Sequence, residues 1–198
     1  MRYQFRRYIR AVSNKIKYNL RNVHIAPINE SGSGKTYATP ITFPGAKAIS
    51  LDAQGEISKF YADGVTYWQA ASNNGYEGDL EMALFTDEIR KAILSEIEDA
   101  NKVLFEEASA KSIPFALLFE IEGDAKATRF CFYNCTMTRP STASETIEES
   151  IEPGTESATI SCAPDDEGII RAKTTAETNA EAYDGWFSNV YKKAAPTN

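Results

Sequence analysis

Two alternating runs joined by a turn constrain this chain more than any other feature. From Pro114 to Glu122 the apolar residues Phe115, Leu117, Phe119 and Ile121 occupy every second position. Period two is the spacing of a strand with one face against a core, not the 3.6 spacing of a helix. Gly123-Asp124 supplies a turn, and Thr128 to Thr138 returns as a second long strand. Together they predict a β-hairpin.

The rest of the chain offers more strands. Ile16 to Ile28 alternates through Ile16, Tyr18 and Leu20, then shifts phase to Val23 and Ile25. A Gly/Ser turn follows at 31–34. Ile41 to Leu51 is interrupted by Pro44-Gly45, which predicts two short strands or a bent edge strand. Glu56 to Ala62 reads as a strand, Asp63-Gly64 as a turn, and Val65 to Gly75 as a polar loop. Tyr76 to Phe85 alternates clearly: Leu80, Met82 and Leu84 point one way, Glu77, Asp79 and Glu81 the other. One helix comes next. Thr86 is placed to cap it, and Asp87 and Glu88 sit in its first turn, where the helix dipole favours negative charge. Ile89, Ala92, Ile93 and Ile97 recur at helical spacing, predicting an end near Glu98.

Val103 to Glu107, Ser157 to Ala163 and Ile169 to Thr174 read as further strands. Asn179 to Tyr191 reads as a short helix or turn around Trp186 and Phe187. Arg139 to Glu156 has almost no apolar residues and predicts a long solvated loop. The sum is seven to nine strands and one flanking helix, with strands mostly following strands. That is a mainly-β fold, an antiparallel β-sandwich or barrel.

Composition agrees with one globular domain. The 198 residues are 42% hydrophobic and 25% charged, which excludes disorder throughout and permits a real core. No run approaches the ~18 apolar residues of a membrane span. We divide the chain into a basic extension (1–13), a β domain (14–191) and a tail (192–198). The extension carries Arg2, Arg6, Arg7 and Arg10 without the apolar stretch of a secretory signal. With three cysteines, an odd number, a reducing compartment is expected and a disulfide framework is not.

Charge is unevenly placed. Met1 to Arg21 holds seven basic residues and no acidic one, while the remainder holds fourteen basic and twenty-eight acidic, a net −14. So acidic a body does not bind nucleic acid by counterion release. It suits a surface that repels it.

Several chemical motifs fail. Gly34-Lys35-Thr36 lacks the glycine five residues earlier, where Asn29 stands, and Tyr37-Ala38-Thr39-Pro40 is a poor helix start for a phosphate loop. The lone His24 lies in a strand without a nucleophile nearby and reads as a structural or subunit-interface residue. Cys131 and Cys135 are four apart. On one strand face that is about 13 Å, too far to share a metal, so both read as small apolar side chains. Asn29-Glu30-Ser31 and Asn134-Cys135-Thr136 match the glycosylation pattern, which carries no meaning without secretion. No catalytic, cofactor-binding or metal-binding residue is identified, and no cofactor is expected.

The chain does resemble a known family: the major tail (tube) proteins of long, non-contractile phage tails, of the type found in phages and prophages of Gram-positive bacteria. The matching stretches run in the family's order. They are Asn14 to Ile28 (NKIKYNLRNVHIAPI), Tyr37 to Gly45 (YATPITFPG), Lys59 to Asp63 (KFYAD), Gly75 to Leu94 (GYEGDLEMALFTDEIRKAIL) and Trp186 to Tyr191 (WFSNVY). Met1 to Ser13 stands outside the pattern.

The resemblance implies a β-sandwich with one flanking helix, six copies closing into a ring, and rings stacking into a hollow tube. DNA passes through the lumen without specific binding, and no catalysis is expected. Implied partners are further copies of the chain and the tape-measure, tail-tip and tail-terminator proteins. The place is the virion tail, assembled in the host cytoplasm. On this view Glu77, Asp79 and Glu81 line the lumen. The loop from Arg139, with Glu145, Glu148, Glu149 and Glu152, bridges subunits or rings. Lys15, Lys17 and Arg21 pack on an acidic neighbouring ring. Two other readings compete: a ring protein of a related secretion machine, and a monomeric β-sandwich binding module using Tyr61, Tyr67, Trp68 and Tyr76.

Overall fold

The computed structural model describes residues 13–31, 34–144, 146 and 153–194. The extension ahead of Ser13 therefore lies outside the described residues. The chain is mainly β, as expected, but with more and shorter strands than the alternation alone indicated. In order these are β1 (Lys17–Ser31), β2 (Gly34–Tyr37), β3 (Ile41–Thr42), β4 (Ala46–Gln54), β5 (Ile57–Ala62), β6 (Val65–Ala71) and β7 (Gly75–Met82). Then come helix α1 (Asp87–Ile93), β8 (Ile97–Glu98), β9 (Leu104–Phe105), β10 (Phe115–Gly123), β11 (Thr128–Met137), β12 (Glu156–Ala163) and β13 (Arg171–Lys173). Helix α2 (Ala180–Asp184) and a 3-10 turn at Gly185–Phe187 end the described order.

Nine strands form one antiparallel sheet in the order β2-β1-β10-β11-β12-β7-β4, with β3 on β1 and β13 on β11. The hairpin legible in sequence, β10–β11, is its centre. Asn14 latches its turn: the side chain accepts from the N–H groups of Ala125 and Lys126 and donates to the Lys126 carbonyl. The sheet rolls over, so that β4, at one end of the order, returns to within 8 Å of β1. This roll makes the two-layered, sandwich-like core. Phe43, Phe85, Leu80, Met82, Phe115, Leu117, Ile160 and the α1 residues Ile89 and Ile93 fill it. Phe115, Leu117, Phe119 and Ile121 all face it, as the alternation predicted.

The opposite face of β10 is buried as well. Ala26, Ala116, Leu118, Cys131 and Tyr133 pack beneath Trp186 and Val190. The C-terminal segment is thus a second cover. Trp186 donates to the Phe130 carbonyl at 3.2 Å and stacks on Tyr191, whose carbonyl accepts from the Tyr133 hydroxyl at 2.8 Å. His24 belongs to the same cover: its ring stacks on Phe187 at 4.8 Å. At the margin sits the buried carboxylate of Glu120, 2% exposed. It accepts from Arg21 and Arg129 at 3.0 Å each and from Asn22 at 2.8 Å. Arg129 also lies over the Tyr183 ring at 3.8 Å and donates to the Tyr183 carbonyl, fastening α2 down.

Four expectations are corrected. The helix ends at Ile93, not near Glu98, because Ser95 adopts a left-handed φ of 58° and turns the chain out. Ile97 consequently joins a two-residue strand and is exposed. Leu84 is 60% exposed, because β7 ends at Met82 and the buried position passes to Phe85. The stretch Val65–Ala71 is a strand rather than a loop, paired with β5 across Asp63 and Gly64, whose φ values of 53° and 77° suit a two-residue hairpin turn. Finally, Cys131 and Cys135 lie on opposite faces. Phe115 pairs with Cys135 but Leu117 with Phe132, so β11 holds an extra residue and changes phase.

Thr86 takes the N-cap position, but its side chain makes no cap bond. Instead Glu156 accepts from the Phe85 N–H at 2.7 Å and from Arg90 at 3.0 Å, tying α1 to β12. No helix among the described residues is long and apolar enough to cross a membrane.

Removing the Glu120 carboxylate strands Arg129 beside a packed face. Glu120→Ala is expected to destabilise the fold by about 3 kcal/mol, because an unpaired buried charge costs more than the pair contributes. Urea unfolding of the two proteins measures it.

Candidate functional site

Two surfaces remain once the core is filled. The first is the outer face of β4, β7 and β12. Tyr76, Leu80 and Met82 of β7 turn into the core, which points Glu77, Asp79 and Glu81 outward. Register fills in the rest of the face. Asp52 of β4 and Ser161 of β12 flank Glu77; Ser50 and Thr159 flank Asp79; Ala48 and Ser157 flank Glu81. Thr136 of β11 extends it beyond Ser161. These positions carry carboxylates, hydroxyls and the methyl groups of Ala48, Thr136 and Thr159, with no large apolar group.

Local chemistry holds the acids in place. Asp79 accepts from the Thr159 hydroxyl at 2.8 Å. Glu81 accepts from Lys47 at 2.8 Å and from the Thr155 hydroxyl. Its carboxyl is held below the usual carboxylate range by the Lys47 bond first and the Thr155 bond second. At the other end Glu77 faces Asp52 across the ladder. Like charges directly opposite each other destabilise a sheet, so this pair works against the fold. Gly78 lets β4 approach β7, since a Cβ there would meet the Ser50 carbonyl oxygen at 1.8 Å.

The second surface carries Tyr61, Tyr67 and Trp68, which the binding-module reading singled out, but on a strand pair where a polar loop was expected after Gly64. Among the described residues, strands β5 and β6 pair only with each other. They prolong the β4–β7 ladder through Asn74 N–H to Gln54 O and Ser72 N–H to Glu56 O, at 2.8 and 2.9 Å. The result is a two-stranded ribbon that runs past the end of β12, which pairs β7 only as far as Tyr76. At ~3.3 Å per residue the free part extends roughly 20 Å. Ile57, Phe60, Tyr61, Val65, Tyr67 and Trp68 on it are all more than half exposed. Phe60 and Trp68 are directly opposite each other, and Phe60 meets Tyr67 edge to face at 6.5 Å. The signal for this ribbon was present in the Asp-Gly turn and the aromatic residues on either side of it. What sequence alone did not show is that Val65–Ala71 is a strand paired with β5, which sets these residues on a ribbon where none of the described residues buries them.

The other singled-out residues divide. Lys15 and Lys17 have exposed side chains. Arg21 is engaged within its own chain, with Glu120 at 3.0 Å and Glu122 at 2.7 Å. Arg139 likewise pairs with Glu106 at 3.0 Å and donates to the Ala110 carbonyl. Glu145, Glu148, Glu149 and Glu152 lie outside the described residues. Tyr76 is not available to a ligand in the way Tyr61, Tyr67 and Trp68 are: it packs on Phe132 at 5.4 Å under Arg171. Lys35, the residue of the failed phosphate loop, sits in β2 and pairs with Asp166 at 2.9 Å.

Fold and surfaces together define a mainly-β protein with a rolled antiparallel sheet, an acid-and-hydroxyl outer face and a projecting aromatic ribbon. No family model matches the chain, and a search among characterised proteins finds no match.

Lys47→Met is expected to raise the Glu81 pKa back toward the ordinary 4.5, as read by carboxyl NMR titration. The folded carboxyl lies below its unfolded value, so the interaction contributes stability above the ordinary value and loses it as pH falls through the depressed one. The variant's acid-unfolding midpoint therefore shifts to higher pH.

Proposed function

We propose that this chain is a structural subunit that associates with copies of itself into hexameric rings, stacked as the tail tube of a long-tailed phage, through which DNA passes. The observation that carries the self-assembly is the β5–β6 ribbon. Isolated two-stranded hairpins are marginal in water. A monomer gains nothing from holding large apolar side chains away from its body, whereas a contiguous exposed apolar patch such as Phe60, Tyr67 and Trp68 marks a contact with another molecule. A convex ribbon seated on a different surface of the next copy is a head-to-tail contact, and such contacts propagate into rings and open-ended filaments.

The phage assignment rests on the sequence resemblance, and the acid-and-hydroxyl face is in keeping with it. Glu77, Asp79, Glu81 and Asp52 repeated around a ring repel phosphates, and charge repulsion across a narrow lumen acts within about one Debye length, ~8–10 Å in physiological salt. Hydroxyls hold water and offer no apolar grip on bases. The unfavourable Asp52–Glu77 pairing then has a use, since stability is given up for a surface that nucleic acid slides past.

Negative-stain electron microscopy of the concentrated protein, with light scattering on the same sample, tests the reading. Rings or hollow tubes are expected. A protein that stays monomeric at high concentration and with tail-tip components added, yet binds a carbohydrate through Tyr61, Tyr67 and Trp68, would instead be the monomeric module. Replacing Tyr67 and Trp68 together by serine should leave the circular dichroism spectrum unchanged and raise the critical concentration for assembly about a hundredfold or more, because burying each aromatic side chain contributes ~1.5–3 kcal/mol. Changing Glu77, Asp79 and Glu81 to lysine should leave tubes intact and slow or trap DNA in transit; normal ejection would remove these acids from the lumen.

A further inference from the structure

Two cysteines distant in sequence meet in the core. Cys135 of β11 stands directly opposite Cys162 of β12, and their sulfurs are 3.1 Å apart. The Thr138 N–H donates to the Thr159 carbonyl at 2.9 Å, which makes 138 and 159 a hydrogen-bonded pair. Pair types alternate along an antiparallel ladder, so Cys135 and Cys162 occupy a non-hydrogen-bonded position. There the Cα atoms stand ~4.5 Å apart and side chains lean together. That lies inside the ~4.4–6.8 Å span a disulfide needs, so bonding requires no backbone movement. The third cysteine, Cys131, is on the other face of β11, packed under the C-terminal cover.

Both sulfurs are buried. Burial, and then the contact with Cys162, pushes the Cys135 thiol well above its usual range. Cys135 is thereby held as a thiol in the closed fold, and the buried pair reacts when strand motion admits an oxidant.

We propose that Cys135 and Cys162 are a site of oxidative modification, closing an intramolecular disulfide between β11 and β12 when the protein meets a small two-electron oxidant such as an azo compound. Each sulfur gives up its hydrogen, one S–S bond forms, and the azo N=N bond takes up both hydrogens and both electrons to become a hydrazine. The bond spans the long segment between β11 and β12 and fastens its base. It constrains the unfolded chain while leaving the native register as it stands. The inference does not depend on the assembly reading, since it concerns the core of a single copy.

The test treats the full chain with diamide, in buffer and in mild urea that preserves the circular dichroism spectrum. Thiols are then counted under denaturing conditions, and intact mass, non-reducing peptide maps and thermal unfolding are measured. The expected result is the loss of two of the three thiols, a mass lower by two hydrogens, and one cross-linked peptide pair carrying Cys135 and Cys162. The oxidised protein should unfold about 5–10 °C higher and revert with dithiothreitol. Reaction should be faster in mild urea. Cys131→Ala should form the same bond, and Cys162→Ala should form none. Retention of all three thiols in both conditions, or a bond that uses Cys131 or joins two chains, overturns the proposal.

Discussion

Strand β10 is apolar on both faces, and the fold follows from having to cover it twice. Phe115, Leu117 and Phe119 require one layer; Ala116 and Leu118 require another. The first is obtained by rolling the sheet, so that β7, β12 and α1 close over the centre. The second comes from the C-terminal segment, where Trp186 and Val190 lie across β1, β10 and β11. Burying a large apolar side chain contributes ~1.5–3 kcal/mol, so neither cover is optional. Among the described residues Glu120 is the one charged side chain buried in the core, and it is tolerated because Arg21, Arg129 and Asn22 satisfy it from three directions.

Once both covers are in place, the strands farther from β10 are free to differ on their two faces. β7 shows this best, with Leu80 and Met82 fully buried and Glu77 and Asp79 exposed. The same ladder then leaves the body altogether as the β5–β6 ribbon. Acid face and aromatic ribbon are thus continuous parts of one antiparallel pair, one end polar and the other apolar. The proposed interface at the ribbon and the proposed polyanion-repelling face beside it would be carried by the same two stretches of chain.

Bulges mark where local reading succeeded and where it failed. The phase change in β1 was visible, because Leu20, Val23 and Ile25 break strict alternation, and the structure puts register shifts there with Asn19 and Asn22 at φ of 55° and 54°. Asparagine tolerates that conformation better than most residues. The phase change in β11 was not visible. Around the slip Cys131, Phe132 and Tyr133 are buried at successive positions, so apolar residues follow one another without alternation and the extra residue leaves no mark there. For that reason Cys131 and Cys135 looked like neighbours on one face and are not.

The amino-acid sequence by itself determined what depends on neighbours within a few residues: the β10–β11 hairpin, the Asp63-Gly64 turn, the bent entry to β4 at Pro44-Gly45, and the outward set Glu77, Asp79 and Glu81. Alternation and turn chemistry are local, and they act before any distant contact exists. Only the tertiary structure decided what depends on pairing between remote strands. It set Cys135 against Cys162, used Arg21 and Arg139 inside their own chain, ended α1 early, and left Tyr61, Tyr67 and Trp68 exposed among the described residues. Exposure and cross-strand register are properties of the whole sheet, and no window of sequence contains both partners.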